Sequence, residues 1–195
     1  MGRRVTRVAF DLDTGDVETI PEDEIKAILR AADDIISSGG RPLLGKILKG
    51  SRDKTILEHE LDKSPMYGYY KDLTLEQIGY RVDWMIKNKY FRIEYDGRLP
   101  LLVYSFTGWE IEKQTYIDEL FEQFYQDVKD HTATVVPRLK DTHRDIAIGI
   151  IEKIALTKDK NLIPLLEYWR SGEVKKVRAL ITEAIHEIRT AKTDP

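Results

Sequence analysis

The sequence predicts a mostly α fold with small β hairpins (α+β), a helix-and-hairpin region followed by a helical-repeat-like C-terminal region. Three observations predict it. Apolar residues recur at three- and four-residue spacing in successive short segments between positions 22 and 88. An Asp-Gly step, Asp96-Gly97, separates two runs rich in β-forming residues. From position 134 helical stretches return, broken near Thr157–Asn161 and at Ser171-Gly172.

Composition bounds the function. At 195 residues, 42% hydrophobic and 33% charged, the chain suits one ordinary domain or two small ones with a solvated surface. No run approaches the roughly eighteen apolar residues that cross a bilayer, so no membrane partner is expected. The basic start, Met1-Gly2-Arg3-Arg4-Val5-Thr6-Arg7, is followed by no apolar stretch or cleavage site, and no secretion signal is expected. Gly2 with Thr6 also fits the loose myristoylation pattern; a basic lead-in to a strand is the preferred reading. Cysteine is absent, which excludes disulfides, thiolate zinc and cysteine nucleophiles. The four histidines lack ligand spacing, so neither metal nor cofactor is expected. The expected compartment is the cytoplasm.

Residues 5–20 read as a hairpin turning at Asp13-Thr14-Gly15-Asp16. Asp11-Leu12-Asp13-Thr14 is similar to the DxDx[TV] motif of haloacid-dehalogenase-type phosphatases. Thr14 and Gly15 stand in swapped order, however, and a turn explains the same residues. Residues 22–37 form an amphipathic helix with acidic Glu22, Asp23 and Glu24 in its first turn, where the helix dipole favours them. Gly39-Gly40 ends it. The stretch GRPLLGKI at 40–47 is near a phosphate-cradling loop, but Ile47 replaces the Ser or Thr that would hold Mg²⁺. It also follows a helix rather than a buried strand. Pro42 in a first turn and Leu43, Leu44, Ile47 and Leu48 on one face make it a helix, and no nucleotide is expected.

Gly50-Ser51 breaks that helix, and Ser51 is placed to cap the next, 52–61, with Ile56, Leu57 and Leu61 inward. Thr74 caps a longer helix over 75–88, with Leu75, Ile78, Val82, Met85 and Ile86 inward. Tyr90–Tyr95, Asp96-Gly97 and Leu99–Phe106 then form a hairpin. Helices followed by a two-stranded hairpin make a winged helix. In that architecture a helix or helix start meets the DNA backbone or groove, and the hairpin reaches a neighbouring groove or a duplex end. Charge agrees locally. Residues 41–109 carry twelve Lys/Arg against nine Asp/Glu within a chain of net charge −3, and 41–54 carry five basic residues against one acidic. Screening over about 8–10 Å lets such a patch hold phosphate on an acidic protein, although a solvated helix surface has the same composition.

The ordered signals Leu48-Lys49-Gly50-Ser51, Tyr67-Gly68, Asn88-Lys89-Tyr90-Phe91 and Pro100-Leu101-Leu102 span about seventy residues. This stretch resembles the RQC domain, the winged helix that follows the motor in RecQ helicases. The chain looks most like the short bacterial RQC-minor proteins, in which the domain occurs without a motor. The motor lobes and the four-cysteine zinc module are absent from the sequence. The resemblance therefore implies DNA binding and no ATP-driven unwinding. By position it implies a phosphate site at Ser51, Arg52 and Lys54 with the amides of the helix start, flanked by Arg41, Lys46 and Lys49. Helix N-termini bind anions, which gives that site a direct rationale. The resemblance also implies a hairpin acting at a duplex end, with Arg98 near its tip and Tyr95 as the nearest ring. Tyr95 fits a cross-strand packing pair equally.

Residues 112–130 form another amphipathic helix, with Tyr116, Leu120, Phe124 and Val128 in register. The segment from Ile163 to Ile188 resembles a HEAT-type helical hairpin. Stable arrays usually need three or more such units, and there is room for about one and a half. It is read either as a protein-docking surface or as a helical cap, and Trp169 either as an interface anchor or as half-buried packing. The expected organisation is an N-terminal β-hairpin and helix over 1–40, an RQC-like winged helix over 41–111, a connecting helix over 112–130 and a HEAT-like region over 131–195. The expected function is non-enzymatic binding of duplex or branched DNA, in repair, replication or recombination. The alternative is a protein–protein adaptor that docks a partner through residues 131–195. No nucleophile–base pair stands out to support a hydrolase.

Overall fold

The computed structural model describes residues 6–191. Residues 1–5 of the basic lead-in, Gly2 among them, lie outside the described residues. The chain divides into two compact units, residues 1–112 and 113–195.

In the first unit, α1 (Glu22–Ala32) continues into a 3₁₀ turn (Asp33–Ile35), followed by α2 (Arg41–Lys49), α3 (Lys54–Glu58) and α4 (Leu75–Lys87). The strands β1 (Phe91–Asp96) and β2 (Leu99–Tyr104) form the wing, and α5 (Phe106–Asp130) starts directly after it. The core is built as the periodicity demands. Ile28 and Leu29 of α1, Leu44, Ile47 and Leu48 of α2, and Ile78, Val82 and Met85 of α4 are fully buried, with Phe91 and Leu102 of the wing packed on them. Leu57 and Leu75, expected inward, are instead exposed. Each sits at the edge of its helix, where the shortness of α3 and the first turn of α4 leave nothing to cover it.

The wing is antiparallel, and Asp96 pairs with Leu99, so the loop is Gly97-Arg98 rather than Asp96-Gly97. Gly97 supplies the positive φ, +56°, that a tight right-twisted hairpin needs at its first loop position. Along β1, Phe91, Ile93 and Tyr95 face inward while Arg92, Glu94 and Asp96 face solvent. The outer edge of β2 is met by the loop after α1. Ser37 N–H donates to the Leu102 carbonyl at 2.9 Å, and Leu102 N–H donates to the Gly39 carbonyl at 2.9 Å.

Residues 6–20 do not form the expected hairpin. They contain no strand; Asp13 Oδ1 accepts from Gly15 N–H at 2.9 Å, and Val17 N–H donates to the Thr14 carbonyl at 2.9 Å. A hairpin needs one face buried, and here only Val17 and Ile20 reach the core. The segment is spent instead along the surface of α4 and the wing.

Helix α5 begins six residues earlier than the sequence suggests. Ser105 Oγ accepts from Gly108 N–H at 2.9 Å and caps the helix. Ser105 N–H donates to the Tyr90 carbonyl at 3.0 Å, and this brings the helix so close that a Cβ on residue 108 would lie 2.1 Å from the Tyr90 oxygen. Beside it, Arg30 and Glu112 are buried together 3.7 Å apart, with Asp33 3.4 Å from Arg30. The Tyr104 hydroxyl donates to the Leu29 carbonyl at 3.0 Å. Burial, with the Glu112 and Asp33 charges, pushes its ionisation far above the usual phenol range.

In the second unit, the remainder of α5 is followed by α6 (Val135–Asp141), α7 (Arg144–Thr157), α8 (Ile163–Ser171) and α9 (Lys175–Thr190). The breaks near Thr157–Asn161 and at Ser171-Gly172 fall where the sequence places them, and a further break at Thr142-His143 separates α6 from α7. Trp169 is fully buried rather than half-buried or exposed as an anchor, and its indole N–H donates to Glu173 at 2.7 Å. Phe124 and Trp169 are in ring contact at 6.4 Å. The turn between α5 and α6 is held by buried Asp127, which accepts from Val135 N–H at 2.7 Å, Thr134 Oγ1 at 2.7 Å and Thr132 Oγ1 at 2.8 Å. Burial opposes its charge, but the Val135 amide, the two threonines and Gln123 outweigh that and hold its carboxyl below the usual range.

Two outcomes follow. Gly108→Ala is expected to cost about 1–3 kcal/mol in denaturant unfolding, the range for forcing atoms into a filled site. Because the folded pKa of Asp127 lies below its unfolded value, its stabilisation is present above about pH 4 and lost as pH falls through the folded pKa. Asp127→Ala should therefore destabilise the chain at pH 7 by about 1–3 kcal/mol through its unpaired donors. The loss should shrink in thermal melts run progressively below pH 4.

Candidate nucleic-acid interface

The corner between α2 and α3 is fixed by backbone. Gly50, at φ +73°, closes α2: its N–H donates to the Ile47 carbonyl at 2.9 Å, and Ser51 N–H donates to the Lys46 carbonyl at 3.0 Å. These two bonds are the Schellman pairing, which requires a left-handed residue at that position. Gly68 N–H also donates to Ile47 at 2.9 Å, and a Cβ on Gly50 would lie 3.1 Å from Gly68 Cα. The Tyr67 hydroxyl donates to the Ser51 carbonyl at 3.0 Å.

Within this corner, Asp53 and not Ser51 caps α3. Its Oδ1 accepts from Thr55 N–H at 3.0 Å and Ile56 N–H at 3.3 Å, and Lys46 donates to its other oxygen. The Lys46 bond and these two amides hold the Asp53 carboxyl below its usual range. Ser51 Oγ accepts instead from Asp53 N–H at 3.3 Å. The helix-start amides assigned to phosphate are thus already satisfied by a carboxylate, because Asp53 sits two residues nearer the helix than Ser51. Lys46 is neutralised by the same carboxylate. Lys49 is turned inward, its Nζ donating to the carbonyls of Lys71 at 2.6 Å and Leu73 at 2.7 Å. Arg52 is exposed, and Lys54 is 84% exposed with only Glu58 on its own helix, 3.4 Å away.

Arg41, Tyr95 and Arg98 form a second group. Arg41 lies at the opposite end of α2 from Lys49, about 12 Å away at 1.5 Å per residue. All three are engaged by residues 6–11. Arg98 Nε donates to the Thr6 carbonyl at 3.2 Å, the Tyr95 hydroxyl to the Val8 carbonyl at 3.0 Å and Arg41 to the Asp11 carbonyl at 3.1 Å. Val8 N–H donates in turn to the Arg98 carbonyl at 3.1 Å. Arg41 also pairs with Asp83 of α4, and its guanidinium lies 5.0 Å from the Phe10 ring. Arg7 lies 4.7 Å over the Tyr95 ring. Tyr95 is therefore a packing residue beneath the N-terminal segment rather than a ring presented at the tip.

The family model of the RQC domain matches residues 21–120. This chain belongs to the RQC domain family. No curated protein and no solved structure matches. The RQC domain is a winged helix of DNA-binding type and is not itself catalytic. The match takes in α1 and the first half of α5 as well as the helices and wing between them.

The RQC frame brings up residues that sequence reasoning passed over. Lys71, Lys87 and Lys89 are exposed, Lys89 at φ +63° just before the wing. Leu99, 61% exposed, is an apolar side chain at the wing tip, nearer the loop than Tyr95, the nearest ring. The register signalled it, since pairing Asp96 with Leu99 puts both at the loop. Among the described residues, no group of three or more His, Asp or Glu could hold a metal ion, and no helix is long and apolar enough to cross a membrane.

The capping assignment is directly checkable. Asp53→Ala should cost about 1 kcal/mol in denaturant unfolding, the usual loss for an N-cap, and Ser51→Ala distinctly less. The reverse order would return the cap to Ser51.

Proposed function

We propose that this protein binds duplex or branched DNA without catalysing a reaction on it, in repair, replication or recombination. Family membership together with the exposed Arg52 carries the reading. Arg52 stands on a corner held rigid by Gly50 and Gly68 and, among the described residues, pairs with no carboxylate. A guanidinium there meets a phosphate without first breaking an internal ion pair. Lys54 adds a second contact, because an exposed pair within one helix is worth only about 0.3–0.5 kcal/mol and is readily exchanged. Ser51, Lys46 and Lys49 support the corner, and Lys46 adds positive potential only when Asp53 is outweighed by phosphate. Under this reading the wing tip, Gly97, Arg98 and Leu99, meets a duplex end once Arg98 leaves the Thr6 carbonyl.

A protein-docking role for the second unit is favoured by a specific observation. Leu156 is 77% exposed on α7, and Tyr168 and Val174 are also open to solvent. Under this reading the helical unit, including the HEAT-like hairpin α8–α9, recruits a partner to the DNA-bound domain.

Fluorescence anisotropy on a blunt duplex, a forked duplex and a single strand, at low and physiological salt, tests the DNA reading. Binding should weaken linearly in log salt, as counterion release requires. Arg52→Ala/Lys54→Ala should weaken it roughly tenfold at low salt and reduce the salt slope by about two, one for each lost phosphate contact. Unchanged affinity in the double variant would remove the corner from the interface.

A further inference from the structure

We infer that residues 6–18 are an acidic strap occupying a polyanion-binding face of the wing and α4, and that DNA and the strap exclude each other there. The inference rests on the DNA-binding reading above and adds a second, closed interface to it.

The strap's chemistry is the first observation. Between Thr6 and Ile20 it carries Asp11, Asp13, Asp16 and Glu18 against the single cation Arg7. The second is what it covers. Arg98, at the wing tip, donates to the Thr6 carbonyl of the strap, and Arg41, at the start of α2, donates both to the Asp11 carbonyl of the strap and to Asp83 of α4. A phosphate oxygen offers the same acceptor with a full charge, so it adds Coulomb attraction to a hydrogen bond that the guanidinium already makes. Tyr95, whose hydroxyl is held by the Val8 carbonyl, is the ring between them.

The strap then crosses α4, the helix that precedes the wing. Asp13 N–H donates to Asp83 at 2.9 Å, and the indole N–H of Trp84 donates to the Glu18 carbonyl at 3.0 Å. Gly15 lies so close to the Tyr80 ring that a Cβ would be 2.7 Å from it. In helix-turn-helix proteins the corresponding helix is the one laid in the major groove. The strap thus sits on the helix surface and the wing surface together.

The strap's attachment is shallow. Residues 6–9 are exposed, and the first residues to reach the core are Val17 and Ile20. Thr6–Asp16 can therefore peel away while the core stays intact. By linkage, whatever loosens the strap raises DNA affinity, and DNA loosens the strap by the same factor.

The test compares the full chain with two strap variants in anisotropy on a 20-base-pair duplex at low salt. One lacks residues 1–15. The other keeps the backbone and neutralises the strap with Asp11→Asn/Asp13→Asn/Asp16→Asn/Glu18→Gln. Both should bind about tenfold more tightly than the full chain. Adding Arg41→Ala/Arg98→Ala to either should erase the gain. A control with four acids neutralised on the second unit (Glu122→Gln, Asp141→Asn, Glu152→Gln, Glu183→Gln) should gain distinctly less. In the full chain, duplex should speed amide hydrogen exchange over residues 8–15. Should the truncation fail to fold, the four-amide variant and the exchange measurement decide. Equal affinity of the full chain and the variants, or exchange slowed by DNA, overturns the strap and leaves the DNA reading standing. No binding by any of them at low salt overturns both.

Discussion

The first unit depends on the carbonyls at the C-terminal end of α2. A helix end leaves its last carbonyls without partners, and here the chain supplies them from two directions. Gly50 and Ser51 donate from the residues that follow directly, while Gly68 and Tyr70 donate to Ile47 and Leu48 from the Tyr-Gly turn about twenty residues on. Lys49 completes the junction by reaching the carbonyls that lead into α4. One helix end thereby sets the path of α3 and the start of α4, and two glycines at positive φ, Gly50 and Gly68, face each other there.

This arrangement separates the cations by task in a way that composition conceals. The five basic residues in 41–54 look alike in the sequence. In the structure Lys46 answers Asp53, Lys49 answers carbonyls and Arg41 answers Asp83 and the strap, which leaves Arg52 and Lys54 at the surface. A charge count measures how much positive potential a segment carries, whereas the partners determine how much of it reaches a ligand.

The legible parts of the fold were those written in local periodicity and local chemistry. Thr74 and Gln77 form a reciprocal cap, Pro42 opens α2 and two breaks of the second unit, near Thr157–Asn161 and at Ser171-Gly172, fall at the expected places, because each depends on residues within a turn or two of one another. What escaped depends on distant neighbours. The early start of α5 depends on Gly108 lying against Tyr90. Val8 and Phe10 alternate like a strand, but their partners are Arg98 and Tyr95, nearly ninety residues away. Asp53 and Ser51 are both good caps, and only the two amide bonds to Asp53 distinguish them.

The wing has one more property that its alternation confers. The outer edge of β2 is occupied by Ser37 and Gly39, and the sheet ends at β1, whose solvent-facing side chains are Arg92, Glu94 and Asp96. An open strand edge is a template on which another chain can lengthen the sheet, and charged side chains are a common deterrent. A projecting hairpin with valine or threonine at those three places would be adhesive, and colloidal stability would fall as concentration rose. As built, the hairpin can stand out from the surface without recruiting a neighbour's backbone.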